Sequence, residues 1–428
     1  MDDSNSATTA GREARHTDAG ALAVALQASR ADTLATGALL WVALPGLSVP
    51  QRDTLNPPLW ELGHIGWFQE YWIARNPARA AGAAADPDVA RWPGVRANAD
   101  ALYDSSAVPH ATRWSLPLPA AAATHNDLAE QLGGTLACLR QAPHDDTGLY
   151  FFRLALFHED MHHEAALYTA QSLGVAIADP RWQAVPLPAA GADLYFKAGT
   201  WMLGAADSAG NGFAFDNERG PYNVELPATA IASRVTRWAE YLPFVEAGGY
   251  EQRQWWSAAG AAWIATVAAQ APRYLRRDGA TWQQWRHGVW QALNLSLPAC
   301  HLTAFEAEAW CRWAGRRLPT EFEWETAARL AETQREAFDW GEVWEWTASP
   351  FAPYAGFTAH AYRDYSQPWF DGRPVLRGAS FATAPHMKHA HYRNYFPADR
   401  DDVFAGFRSC ALAQGHSTAA DGSVPSAV

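Results

Sequence analysis

The chain has 428 residues, a formal net charge of −12 and 49% hydrophobic residues, among them 22 Trp. That length suits two or three domains with sizeable cores, and the acidic balance argues against nucleic acid or an anionic membrane as partner. Four cysteines (Cys138, Cys300, Cys311, Cys410) form no CxxC and no tight framework, which fits a reducing cytoplasm. No apolar run is long enough to span a bilayer, and the polar start Met1-Asp-Asp-Ser-Asn-Ser does not read as a signal peptide.

Residues 1–18 are small and polar, so a disordered tail is expected there, and another over 415–428. Helical signals fill residues 19–175: Ala21 to Leu34, Leu59 to Arg75 behind Pro57-Pro58, Ala123 to Gln141, and Gly148 to Leu173. Pro77 to Pro119 joins the second helix to the third, which gives a four-helix bundle whose facing side chains can hold a metal. A crossover of that length is usually functional or disordered; its informative segment runs from Tyr103 through His110 and Arg113 to Trp114.

Two of these helices carry the chemistry. In Leu156-Phe-His158-Glu-Asp-Met161-His162-His163-Glu164 a spacing of four puts His158 and His162 on one face, a turn apart. His163 is rotated off that face by roughly 100° and reads as a rim residue. Glu164 could accept an imidazole N–H. The pair alone reads equally well as two histidines lining a helix. His64 sits among Leu62, Ile65, Trp67 and Phe68, and by itself it is a hydrogen-bonded core histidine. Together with His158 and His162 it completes a facial site of neutral imidazoles, suited to Fe, Zn or Cu with coordination positions left open.

Residues 176–191 are Pro- and Ala-rich and read as a linker. Over 192–414 the texture changes to short strands (Leu194 to Lys197, Thr200 to Gly204, Val224 to Leu226, Ile231 to Val235) between Gly, Pro, Asp and Asn. Helices are expected at Thr236 to Ala247, where Pro243 is an interruption, and at Thr303 to Ala314. Thr303 with Glu306 and Thr320 with Glu323 form capping boxes. Phe213-Ala-Phe-Asp-Asn-Glu-Arg219 reads as a hydrogen-bonded turn, and Trp344-Glu-Trp-Thr347 as core packing. This half is α+β with much irregular loop.

The wording Leu62-Gly-His-Ile, the HxxxHxE helix, FDNE, RLPTEFEWE, VWEWT, LRG and GFR together resemble the sulfoxide synthases of ergothioneine biosynthesis. That resemblance covers roughly residues 20–412. It implies a DinB-like four-helix bundle followed by a formylglycine-generating-enzyme-like (C-type-lectin-like) α+β domain. It also implies Fe(II) and O2 chemistry that joins a chalcogen to C2 of the imidazole of hercynine, trimethylhistidine. NPPLWELGH, DSSAVPHATRWSLP and HEDMHHEA are most similar to the selenoneine synthase branch. The resemblance puts the metal on His64, His158 and His162 and the histidine-derived substrate against Asn394. Tyr395 and Phe396 offer aromatic faces to the trimethylammonium group. A C-terminal tyrosine serves as proton donor in the family, for which Tyr362 and Tyr365 are the candidates.

Departures from the ergothioneine pattern bear on the donor. Enzymes that use γ-glutamylcysteine carry basic residues in the crossover, an acid two residues after the Asn, and Gln before the second helix histidine. Here the crossover holds His110 and Arg113, the acid position is Phe396, and the Gln position is Met161. An apolar ring cannot pair with a donor's ammonium, which favours an uncharged selenosugar over cysteine or γ-glutamylcysteine. Two rival classes exist. A copper oxidase of the formylglycine-generating kind needs a cysteine pair that Arg377 to His391 does not contain. A metal-stabilised binding module would ordinarily have four protein ligands.

Overall fold

The computed structural model describes residues 3–205, 212–220 and 222–412. Helix α1 (Asp3–His16) leads into α2 (Ala19–Ala43), α3 (Pro58–Trp72), a short α4 (Ala99–Tyr103), α5 (Ala121–Leu139) and α6 (Asp146–Leu173). Local chemistry sets the ends of α6: Asp145 accepts from Gly148 N at 2.7 Å, and Gly174 closes the helix at φ 74°. Helix α3 begins behind Pro57 with Pro58 as its first residue. Helices α2 and α3 both pack on α6, and α5 packs on α3. Phe68, Trp72, Phe151 and Phe152 fill the space between them. Arg30 from α2 pairs inside the bundle with Glu159 of α6 at 2.7 Å.

A disordered tail was expected over 1–18; of the described residues there, Asp3–His16 form a helix. Arg15 of α1 is buried and donates to both carboxylate oxygens of Glu218, at 2.6 and 2.9 Å. Phe213 N donates to Arg15 O at 2.8 Å and Ala14 joins the core, so the polar-looking segment is docked by contacts that composition does not single out. The tail expected over 415–428 lies outside the described residues. The segment 176–191 holds only a short 3-10 turn, Pro180–Trp182, yet Trp182 is buried with its ring 4.9 Å from that of His163.

Beyond it the chain is built of small sheets. Strands β1 (Leu194–Phe196), β2 (Gly199–Leu203), β3 (Tyr222–Leu226) and β4 (Thr229–Ile231) precede helices α7 (Trp238–Glu246) and α8 (Ala258–Val267). A meander of β5 (Leu275–Asp278), β6 (Thr281–Arg286) and β7 (Val289–Ala292) follows, then α9 (Ala304–Trp313), β8 (Arg316–Arg317) and α10 (Glu321–Gln334). Strands β9 (Trp344–Pro350), β10 (Pro374–Arg377), β11 (Asn394–Tyr395), β12 (Ala405–Gly406) and β13 (Cys410–Ala411) complete the domain. One sheet has the order β1-β4-β13-β8 and another β11-β10-β9-β12. Both capping boxes form, and α7 runs through Pro243 without interruption. Helix α10 buries Glu321, Glu323 and Glu325 against Arg393, Arg317 and Arg377, which makes RLPTEFEWE a structural element.

Candidate metal centre and adjoining cavity

Gly63 allows α4 to close on α3, because a Cβ there would lie 2.2 Å from the Tyr103 ring. The approach brings Tyr103 O to 2.7 Å from His64 Nδ1. A carbonyl only accepts, so Nδ1 carries the proton and the Nε2 lone pair of His64 is free. His162 is held in the same way: its Nδ1 bonds to Glu61 Oε2. His158 stacks on Phe68 with centroids 3.5 Å apart and planes 3° apart, and its buried Nδ1 has no protein partner.

These three side chains offer nitrogen atoms within 4.8 Å of one another. Burial, the larger influence, holds the His64 imidazole down to about 3 and His158 well below its ordinary value, so both are neutral at physiological pH. Neutral imidazoles converging in a buried pocket, two with the second nitrogen anchored, fit a divalent transition metal. Burial alone would raise the Glu61 carboxyl, but the adjacent His162 and then His64, with a bond from Asn56, bring it down to about 2. Glu61 therefore stays anionic behind the ligand set.

Sequence reasoning missed Glu61. Its signal was the Glu-x-x-His spacing on α3, which puts both side chains on one face. Glu164 does not serve the histidines; it accepts from Trp344 Nε1, Ser380 Oγ and Thr383 Oγ1 at 2.8, 2.6 and 2.7 Å. His163 is not a rim residue either. It is buried, 2.9 Å from Thr36 Oγ1, because α2 and Trp182 cover that side of α6.

A cavity of about 230 Å³ opens beside His162, between α6 and the C-terminal sheet. Two other cavities measure about 50 and 30 Å³, so this one alone of the three has room for an organic substrate. Met161, Tyr365, Tyr392, Asn394, Tyr395 and Phe396 line it. Tyr365 Oη donates to Tyr392 Oη at 3.1 Å, and Tyr392 Oη to Met161 Sδ at 3.2 Å. Asn394 Oδ1 accepts from Tyr395 N at 2.9 Å, which fixes the amide. Burial drives the Tyr365 hydroxyl well above its ordinary value, so it is a neutral O–H that can donate.

Arg113 and Tyr362 lie elsewhere. Arg113 stacks over Trp60 at 4.0 Å, and Trp60 stacks on His64 at 4.8 Å. Its Nη1 donates to Asn56 Oδ1 at 2.8 Å, and Asn56 in turn donates to Glu61. The guanidinium thus reaches His162 from behind rather than facing the cavity. Tyr362 packs between Phe68 and Trp72, with its ring 6.4 Å from that of His158.

Residues 184–342 match the family described as sulfatase-modifying factor enzyme 1-like domain. Over nearly the whole chain the similarity is to proteins named hercynine oxygenase. That of Mycolicibacterium thermoresistibile is 33% identical over 411 residues, covering 84% of this chain and 88% of its own. That of Mycobacterium tuberculosis is 32% identical, covering 84% and 92% respectively. The formylglycine-generating enzyme of Streptomyces coelicolor is 31% identical over 188 residues, 40% of this chain and 58% of its own. No helix among the described residues is long and apolar enough to cross a membrane.

Proposed function

The chain belongs to the hercynine oxygenase family, and on that premise we propose that it uses non-haem Fe(II) and O2 to join a selenosugar's selenium to C2 of hercynine, as a selenoneine synthase. His64, His158 and His162 would hold the iron, which when bound supplies oxygen activation and the redox capacity of the reaction. Glu61 and Tyr103 fix two of the imidazoles, so the ligand set is oriented before the metal arrives. Asn394 holds the hercynine side chain beside His162, and the rings of Tyr365, Tyr392 and Tyr395 face its trimethylammonium group. Tyr365 Oη, kept neutral by burial, delivers the proton. The apolar walls exclude water from the bond-forming step.

The observation that carries the donor assignment is the lining of the cavity. It includes Met161 and Phe396, and the two carboxylates bordering the cavity are already engaged. Glu164 holds three donors, and Asp160 holds Ser29 Oγ at 2.7 Å and His386 Nδ1 at 3.2 Å. An amino-acid or peptide donor would leave its ammonium unpaired there, whereas a neutral sugar carries no such charge.

The test is anaerobic reconstitution with Fe(II), then O2 with hercynine and either a selenosugar or γ-glutamylcysteine, followed by mass spectrometry. A selenium adduct of hercynine, absent with His158→Ala, supports the assignment. An adduct with the sulfur peptide alone moves the protein to C–S bond formation and sinks the argument from Phe396. No adduct with either leaves a metal-stabilised binding module.

A further inference from the structure

None of Phe215, Asp216, Asn217 and Glu218 lines the substrate cavity, yet all four are buried. Burying three polar side chains in one turn costs free energy unless they are hydrogen-bonded. Glu218 closes the turn itself, accepting from Phe215 N at 3.1 Å and from the Arg15 guanidinium. Asp216 and Asn217 instead reach across to the hydroxyl of the buried Ser366. Ser366 Oγ donates to Asp216 Oδ1 and accepts from Asn217 Nδ2 at 3.0 Å. A serine hydroxyl has one hydrogen to give, so this pair fixes its orientation. Asp216 Oδ2 and Asn217 Oδ1 are buried with no protein partner, a cost that a purely structural turn would avoid. We propose that Asp216 and Asn217 are positioning residues, which through Ser366 set where the Tyr365 hydroxyl stands in the substrate cavity. The proposal deepens the functional reading above and rests on it for the role of Tyr365.

Ser366 follows Tyr365 directly, at the end of the 3-10 turn Arg363–Tyr365. The tyrosine is held from behind at three points. The Phe215 ring stacks on the Tyr365 ring, with centroids 4.5 Å and planes 23° apart. Tyr395 Oη donates to Tyr365 O. The third point is Ser366, gripped by Asp216 and Asn217. In the cavity the hydroxyl has Tyr392 Oη at 3.1 Å and the weakly accepting Met161 Sδ at 3.8 Å. Its place therefore depends on how ring and backbone are fixed. The same turn steadies Asn394, since Arg393 Nη1, one residue earlier, donates to Asn217 O at 2.7 Å. Misplacing a reacting group by about 1 Å can cost on the order of 10²-fold in rate.

The experiment compares Asp216→Ala, Asp216→Asn and Ser366→Ala in the Fe(II)-loaded full chain, by kinetics, metal content and crystal structure. Asp216→Ala removes an acceptor of Ser366 and should lower kcat about ten- to a hundredfold at constant metal content and nearly constant KM for hercynine. Asp216→Asn keeps an acceptor oxygen and should recover most of the rate. Ser366→Ala removes the same link by a smaller change and serves if Asp216→Ala folds poorly. In a Tyr365→Phe background, Asp216→Ala should cost no further rate, because the group it places is gone. A further loss of the same size in that background, or Tyr365 unmoved in crystals of Asp216→Ala, overturns the proposal. A wild type that turns over neither donor sinks the functional reading instead. The crystals then decide the positioning alone: a displaced Tyr365 supports it, and one in its wild-type place overturns it.

Discussion

Glu164 of α6 accepts a hydrogen bond from the indole of Trp344 on β9 at 2.8 Å, joining the helix that carries two of the metal-site histidines to the sheet that carries Asn394. Ser380 and Thr383 complete its acceptor set. This buried carboxylate therefore contributes to the registry between the candidate metal centre and the cavity wall, alongside the Asp160–His386 contact. Glu164→Ala leaves these donors short of an acceptor, at about 1–3 kcal/mol for each that stays unsatisfied. A loss of about 3 kcal/mol or more is expected in denaturant unfolding, with Glu164→Gln intermediate because it keeps one acceptor oxygen.

Behind the candidate metal centre, Arg113, Asn56, Glu61 and His162 form a chain of hydrogen bonds. Residues that hold a ligating imidazole from behind typically change metal affinity by about 10–100-fold. Glu61→Gln should fall in that range, read by competition with a coloured chelator. Arg113→Ala should weaken the metal by a smaller factor and leave the KM for both organic substrates nearly unchanged. A large rise in the donor's KM would instead put the guanidinium in the substrate cavity.

The helical half was legible because its signals are local. Pro58 opens α3, Asp145 and Gly174 bound α6, and the spacing of four sets His158 beside His162. The roles of His163, Glu164 and Arg113 were not legible, since each depends on what tertiary packing brings to it: Trp182, Trp344 and Asn56 respectively. Residues 3–18 misled by composition, because the buried Arg15–Glu218 pair and the core contact of Ala14 hold a polar sequence in place. The meander β5–β7 went unseen because its strands are short and largely exposed, without the alternation that marks a half-buried strand.

Tyr365 and Tyr362 separate by position. The hydroxyl of Tyr365 lies in the cavity beside Tyr392 and Met161, whereas Tyr362 packs against Phe68 and Trp72. If Tyr365 delivers the proton, Tyr365→Phe should lower kcat by about 10²- to 10⁴-fold, with metal content unchanged. Tyr362→Phe keeps the packed ring and should alter kcat by less than about tenfold. Single-turnover product analysis of the two variants decides between them.

Glu306, on α9, supplies a pH dependence of its own. Burial, against bonds from Tyr250 Oη at 2.5 Å and from Thr303 N and Oγ1 at 2.7 and 2.9 Å, raises its carboxyl from 4.5 to about 7. Between those values the folded protein holds a proton that the unfolded chain has released, so stability falls as pH rises. The contribution is full below pH 4.5, declines up to about pH 7 and is constant above. Its size is on the order of 3 kcal/mol. Glu306→Gln cannot ionise yet retains an acceptor for the capping box, so it should lack this decline. The stability of the wild type relative to Glu306→Gln should therefore fall between pH 4.5 and 7.5 in urea titrations. A difference independent of pH would mean that the carboxylate is ionised throughout, with Tyr250 and Thr303 together outweighing its burial.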